Sequence, residues 1–135
     1  MARISTKDWR NLPTEKWNVT TFHAFLIERN KELYGIDYEP FGRGSVSTRW
    51  MTEKGQIKTA QGNYGNAVLR RYIEKCFENH RYNPKYPTLA FGFMLSYMRN
   101  ELSQAQAEIA SEERSKAAQQ DDMEAIDGED IGEWL

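Results

Sequence analysis

From Val19 onward the apolar residues Phe22, Phe25, Leu26 and Leu33 recur at helical intervals, with Thr20 or Thr21 placed to cap the first turn and Gly35 to stop the last. The stretch Asp37-Tyr-Glu-Pro-Phe-Gly-Arg-Gly44 holds a proline and two glycines, so it reads as a loop. Ser45 or Ser47 then caps a weaker second helix carrying Val46, Trp50 and Met51, interrupted or ended at Gly55 with Ile57 just beyond. After Gly62-Asn-Tyr-Gly65 comes the cleanest pattern in the chain. Val68, Leu69, Tyr72, Ile73, Cys76 and Phe77 form one apolar face, and Arg70, Arg71, Glu74, Lys75 and Glu78 form the opposite one.

A proline-bearing connector, His80 to Pro87, leads to Thr88 as the cap of the longest helix. Leu89, Phe93, Met94, Tyr97 and Met98 supply its buried face, continued by Leu95, Met98, Leu102, Ala105 and Ile109. Run to about Ala118, that helix is about 45 Å long at about 1.5 Å per residue, against a radius of gyration of about 13 Å for a domain of this size. Its far end must project, fray or pair. The apolar seam reads as packing on the domain itself; a short coiled coil joining two copies into a homo-oligomer is the alternative. Ahead of the first helix, the segment through Pro13 has no clear period and reads as an irregular arm with Trp9 and Trp17 as anchors. The expected fold is therefore mainly α: a four- to five-helix domain over residues 1–118 with a long C-terminal helix, and a flexible acidic tail over residues 119–135.

Charge sharpens that division. Residues 1–100 hold 16 Lys and Arg against 9 Asp and Glu, net +7, whereas residues 101–135 hold 2 against 11, net −9. Residues 119–135 contain seven acids and no base, with two glycines, so little apolar burial offsets the entropy of ordering them. A length of 135 residues suits one domain and one core. A single cysteine, no apolar run of membrane-spanning length and no apolar core at the N-terminus point to a reducing cytoplasm and no membrane association.

Candidate chemistry follows from the same asymmetry. Arg43 and Arg49 around the glycine loop, Lys54 and Lys58 after it, and Arg70, Arg71 and Lys75 on the third helix form the candidate phosphate-binding surface, since each neutralised phosphate releases counterions. Trp50, Tyr64, Tyr82 and Tyr86 lie near these bases and are candidates to stack on unpaired bases, although some must serve the core. Gly42-Arg-Gly44 lets a ligand approach the backbone but lacks the spacing of a phosphate-binding loop. The second and third helices resemble a helix-turn-helix with Arg70 and Arg71 on the reading helix, although the connection through Gly62 and Gly65 is looser than usual. His23 and His80 stand apart, Cys76 sits on an apolar face, and no motif pairs a nucleophile with a base or supplies metal-ligand spacing; no catalysis, metal or cofactor is expected.

At the C-terminus, Asp127, Glu129 and Asp130 precede Ile131, Gly132, Glu133, Trp134 and Leu135. An apolar tip on an acidic segment fits a small apolar pocket with a basic rim on a partner. The layout resembles the acidic, apolar-tipped tails of bacterial and phage single-stranded DNA-binding proteins, although those end in a phenylalanine tip where this chain has Trp134-Leu135. The combination Glu32-Leu-Tyr-Gly35, Gly42-Arg-Gly44 and Tyr86-Pro-Thr-Leu-Ala-Phe-Gly-Phe-Met-Leu-Ser-Tyr-Met-Arg99 resembles small proteins encoded by tailed phages, across roughly residues 20–100. That resemblance implies a bacterial host cell. Basic body and tail together suggest an accessory protein of phage DNA replication or recombination, holding single-stranded or forked DNA and recruiting a host or phage replication protein, as in helicase loading. The alternatives are a host-takeover or anti-defence protein acting by protein contact, and a helix-turn-helix regulator.

Overall fold

The computed structural model describes residues 4–81, 84, 85 and 87–134, those from 121 onward by backbone alone. The fold is mainly α: a 3-10 turn at Thr14–Lys16 followed by α1 (Val19–Tyr34), α2 (Val46–Tyr64), α3 (Asn66–Asn79), α4 (Phe91–Tyr97) and α5 (Arg99–Trp134), with no strand among the described residues. Of the expected tail over residues 119–135, the side chains of Asp127, Glu129, Asp130, Ile131, Glu133 and Trp134 lie outside the described residues, as does Leu135 altogether.

The arm is held by its tryptophans, as expected. Trp9 and Trp17 are buried, and the Trp17 indole N–H donates to the Leu12 carbonyl at 2.9 Å. Their rings meet Phe25 and Phe22 edge-on at 4.8 and 5.0 Å, an arrangement that aromatic quadrupoles favour. Helix α1 starts one turn ahead of the expected threonine cap. Asn18 is the N-cap: its Oδ1 accepts from the Thr21 amide at 3.0 Å, while Thr21 Oγ1 accepts from the Asn18 amide at 3.2 Å. Thr21 thus sits at the third helical position of a reciprocal capping box. Gly35 ends the helix at φ 69°, a left-handed conformation that glycine adopts without strain.

Helix α2 is capped by Ser45 and, contrary to the sequence expectation, runs through Gly55 and Gly62 to Tyr64. A glycine inside a helix costs about 1 kcal/mol relative to alanine, and here burial on the opposite face outweighs it. Ile57, expected beyond the helix, is fully buried within it, and Ala60 beside it is buried too. Helix α3 follows after the single residue Gly65 and buries Leu69, Tyr72, Ile73 and Cys76, as its periodicity predicts. Burial pushes the Cys76 thiol far above its ordinary value, which keeps it protonated and unreactive.

The expected single long helix from Thr88 is two helices. Met98 leaves helical geometry at φ −125°, ψ 45° while its side chain stays buried, so the chain turns without surrendering a core position. Helix α5 then packs along α3, and Leu102 and Ala105 on it, with Met98 just before it, are buried at the spacing of four and three read from the sequence, so this seam serves the domain's own core. From Ala110 to Gln120 every α5 residue is exposed. The core itself joins α1, α2, α3 and α4 through Phe22, Phe25, Leu26, Ile57, Leu69, Ile73, Leu89, Phe91 and Met94.

Candidate nucleic-acid interface

An open groove of about 840 Å³ lies between the loop from Ile36 to Arg43 and the segment from Lys85 to Phe93. Three bases, Arg43, Arg49 and Lys85, and two acids, Asp37 and Glu39, line it together with Pro40, Phe41, Pro87 and Phe93. Each wall is held by polar contacts, half-buried on one side and buried on the other. On the loop side, the Arg49 guanidinium donates to the Pro40 carbonyl at 3.2 Å. On the other side, Asn30 on α1 donates to the Leu89 carbonyl at 3.1 Å and accepts from the Leu89 amide at 2.7 Å. Gly42 and Gly44 bear φ values of 132° and 99°, so the backbone turns where a side chain would strain it.

Across the groove's floor, the Tyr38 hydroxyl donates to Glu53 Oε1 at 2.5 Å and accepts from the Phe91 amide at 3.1 Å. His23 Nε2 lies 3.1 Å from the same carboxylate oxygen, and Tyr38, Glu53 and His23 are all buried. Burial, then the neighbouring Glu53 charge, pushes the Tyr38 hydroxyl well above its ordinary value, so it remains a donor.

The aromatic lining continues to the surface. Phe41 and Phe93 meet edge-on at 6.0 Å, and Tyr97 lies 4.9 Å from Phe93 and 6.5 Å from Phe41 with 67% of its surface exposed. His80 lies edge-on to Phe93 at 6.0 Å, and burial lowers its pKa, which favours a neutral ring there. Aromatic rings that share a groove with cationic side chains, as Phe41 and Phe93 do with Arg43 and Arg49, are an arrangement able to hold unpaired bases by stacking and their phosphates by charge. Sequence periodicity had placed Tyr97 on a buried face. In the structure that ring is exposed at the end of α4. Phe41 and Lys85 carried a faint signal: an aromatic between Pro40 and Gly42, and a base between prolines at 84 and 87.

The candidate basic surface divides into three parts. Arg43 is exposed and Arg49 half-buried at the groove. Lys54 and Lys58 lie exposed on the outer face of α2, and no described acid forms an ion pair with either. On α3 the bases already have partners. Arg71 reaches Glu108 at 3.1 Å and Glu112 at 2.8 Å, and Lys75 pairs with Glu108. The hydrogen bond to Glu112 leads the causes that raise the Arg71 pKa, and the bond from Lys75 leads those that lower Glu108. Arg70 donates to Thr14 Oγ1 at 2.7 Å and stacks its guanidinium over Trp17 at 4.6 Å. The acids of α5 therefore meet the bases of α3 along the helix pair.

Trp50 is packed edge-on against His23 at 5.2 Å and Tyr38 at 5.8 Å, and so supports the groove floor. Tyr64 is half-buried against the core. Tyr82 and Tyr86 lie outside the described residues. The one-residue junction at Gly65 is shorter than the three- to four-residue turn of a helix-turn-helix, and Arg70 and Arg71 on α3 are engaged with Thr14 and with Glu108 and Glu112. No described helix is long and apolar enough to cross a membrane. Compared with family models, curated proteins and solved structures, the chain shows no match.

Proposed function

We propose that the chain is a non-enzymatic accessory protein of phage DNA replication or recombination that holds single-stranded DNA in the groove between residues 36–43 and 85–93. One observation carries the reading: Arg43, Arg49 and Lys85 line the same groove as Phe41 and Phe93, with Tyr97 exposed at the end of the aromatic cluster. Stacking on an aromatic contributes about 1–3 kcal/mol per base and tolerates any sequence, because every base has a π-face. The cations add a sequence-independent attraction that weakens with salt. In this reading the α3 bases maintain the helix pair, and Lys54 and Lys58 supply additional positive potential from α2. The acidic C-terminal residues with Ile131, Trp134 and Leu135 recruit a replication protein through an apolar tip.

The test is a fluorescence-anisotropy titration of the full chain with single-stranded and duplex oligonucleotides at low and moderate salt. The single strand binds more tightly than the duplex, and affinity falls as salt rises. Equal affinity for both forms, or none for either, removes the proposal. Retention of one host protein through Trp134 and Leu135 by a body that ignores DNA would instead support the host-takeover alternative.

A further inference from the structure

We propose that Tyr38 and Glu53 are a positioning pair that sets the spacing between the groove's two walls, so that strand affinity depends on a contact no ligand touches. The inference rests on the nucleic-acid reading of the groove. Tyr38 belongs to the loop wall, yet its side chain turns inward and is buried, while its neighbours Asp37 and Glu39 are exposed. Its hydroxyl accepts from the amide of Phe91, the first residue of α4, which belongs to the opposite wall between Ala90 and Phe93. The first amides of a helix have no partner within it, and Ala90 offers no side-chain cap. Tyr38 therefore caps α4 from across the groove.

Glu53 determines which way that hydroxyl points. A carboxylate only accepts hydrogen bonds, so Tyr38 directs its proton at Glu53 and presents its lone pairs to Phe91. The choice of residue is costly. Glu53 is 1% exposed, and its Oε2 has no hydrogen-bond partner among the described residues. Burial of a half-satisfied carboxylate opposes folding, and the contacts of its Oε1 offset that cost: it accepts from the Tyr38 hydroxyl and lies 3.1 Å from His23 Nε2, so Glu53 orients Tyr38 from a position fixed against α1.

The experiment uses the full chain and a labelled short oligothymidylate, at a temperature where every variant is folded. Tyr38→Phe removes the hydroxyl alone. It is expected to weaken binding by about tenfold, equivalent to about 1.4 kcal/mol, with the salt dependence unchanged because no cation is lost. Amide exchange at Phe91, followed by NMR, accelerates. In a double-mutant cycle the effect is non-additive with Tyr97→Ala, which loses its stacking geometry in both backgrounds, and additive with Lys58→Ala. A merely destabilised protein would show neither pattern in its folded population.

If Tyr38→Phe melts below the measuring temperature, Glu53→Gln carries the test. It keeps the shape but no longer compels the hydroxyl's direction, and should weaken binding by about threefold, within the effect of one buried hydrogen bond, with faster Phe91 exchange. Unchanged affinity, or additivity of Tyr38→Phe with Tyr97→Ala, overturns the pair's role in binding. Unchanged Phe91 exchange overturns the pair whichever way binding turns out. Absence of binding by the unaltered chain overturns the functional reading instead.

Discussion

Replacing Asn30 by alanine removes a side chain that ties α1 to the start of α4. Asn30 is fully buried. Its amide donates to the carbonyls of Leu26 and Leu89 at 2.8 and 3.1 Å, and its Oδ1 accepts from the Leu89 amide at 2.7 Å. Leu89 is fully buried and precedes α4, so no helical partner is available to its N–H or C=O. Truncation therefore strands two backbone groups in the interior, while the Leu26 carbonyl keeps its ordinary partner within α1. At about 1–3 kcal/mol for each of the two stranded groups, the loss is about 2–6 kcal/mol, a large part of a typical total of about 5–15 kcal/mol. For a chain of this length, at about 4 °C per kcal/mol, that lowers the melting temperature by about 8–24 °C. Thermal unfolding followed by far-UV circular dichroism measures it. Asn30→Asp keeps the acceptor for the Leu89 amide but turns a carboxylate toward two carbonyls, so its pKa rises on folding and its penalty eases as pH falls. A melting temperature for Asn30→Ala within about 3 °C of the unaltered protein, a shift worth less than one stranded group, would refute the claim that Leu89 depends on this side chain.

Gly55→Ala should stabilise the protein by about 1 kcal/mol in urea denaturation, because the added Cβ meets nothing within 4 Å and helix propensity improves. Tyr97→Ala should weaken single-strand binding by at least about fivefold, the lower end of a stacked base's contribution, while leaving the melting temperature almost unchanged because the ring is largely exposed. Arg43→Gln should lower the slope of log affinity against log salt by about 1, as loss of one phosphate contact does; an unchanged slope removes Arg43 from the interface. Lys75 and Arg71 hold the Glu108 carboxyl below its ordinary range. Its contribution to the α3–α5 pairing is therefore present above the unfolded value and is lost as pH falls through the lower folded one. A carboxyl-carbon NMR titration should place the Glu108 midpoint below that of an unpaired glutamate, and a midpoint at or above it would contradict the pairing.

The amphipathic stripes that became α1, α3 and the first half of α5 were legible because a helix brings residues three and four apart onto one face, a rule that needs no tertiary information. The same local logic identified Trp9 and Trp17 as anchors, Gly35 as a stop, Ser45 as a cap and Cys76 as core. It failed where a distant contact outweighed a local preference. Gly55 and Gly62 ended nothing, since Ile57 and Ala60 bury the other face of α2. Thr88 capped nothing, since Asn30 and Tyr38 already hold the amides of Leu89 and Phe91.

The candidate interface lay almost wholly on the tertiary side of that division. By itself the sequence determined a helical, basic body followed by an acidic C-terminal segment, because charge and periodicity are properties of residues and their near neighbours. Which bases carry ion-pair partners was decided only when α5 packed on α3, giving Arg71 and Lys75 carboxylates from another helix while Arg43 stays exposed at the groove. Which aromatics face solvent was decided by tertiary packing, which leaves Tyr97 exposed and sets Trp50 against His23 and Tyr38. A groove between residues 36–43 and 85–93 exists only because the chain closes a long loop through its core, and the free energy of that closure resides in contacts that no local window of sequence contains.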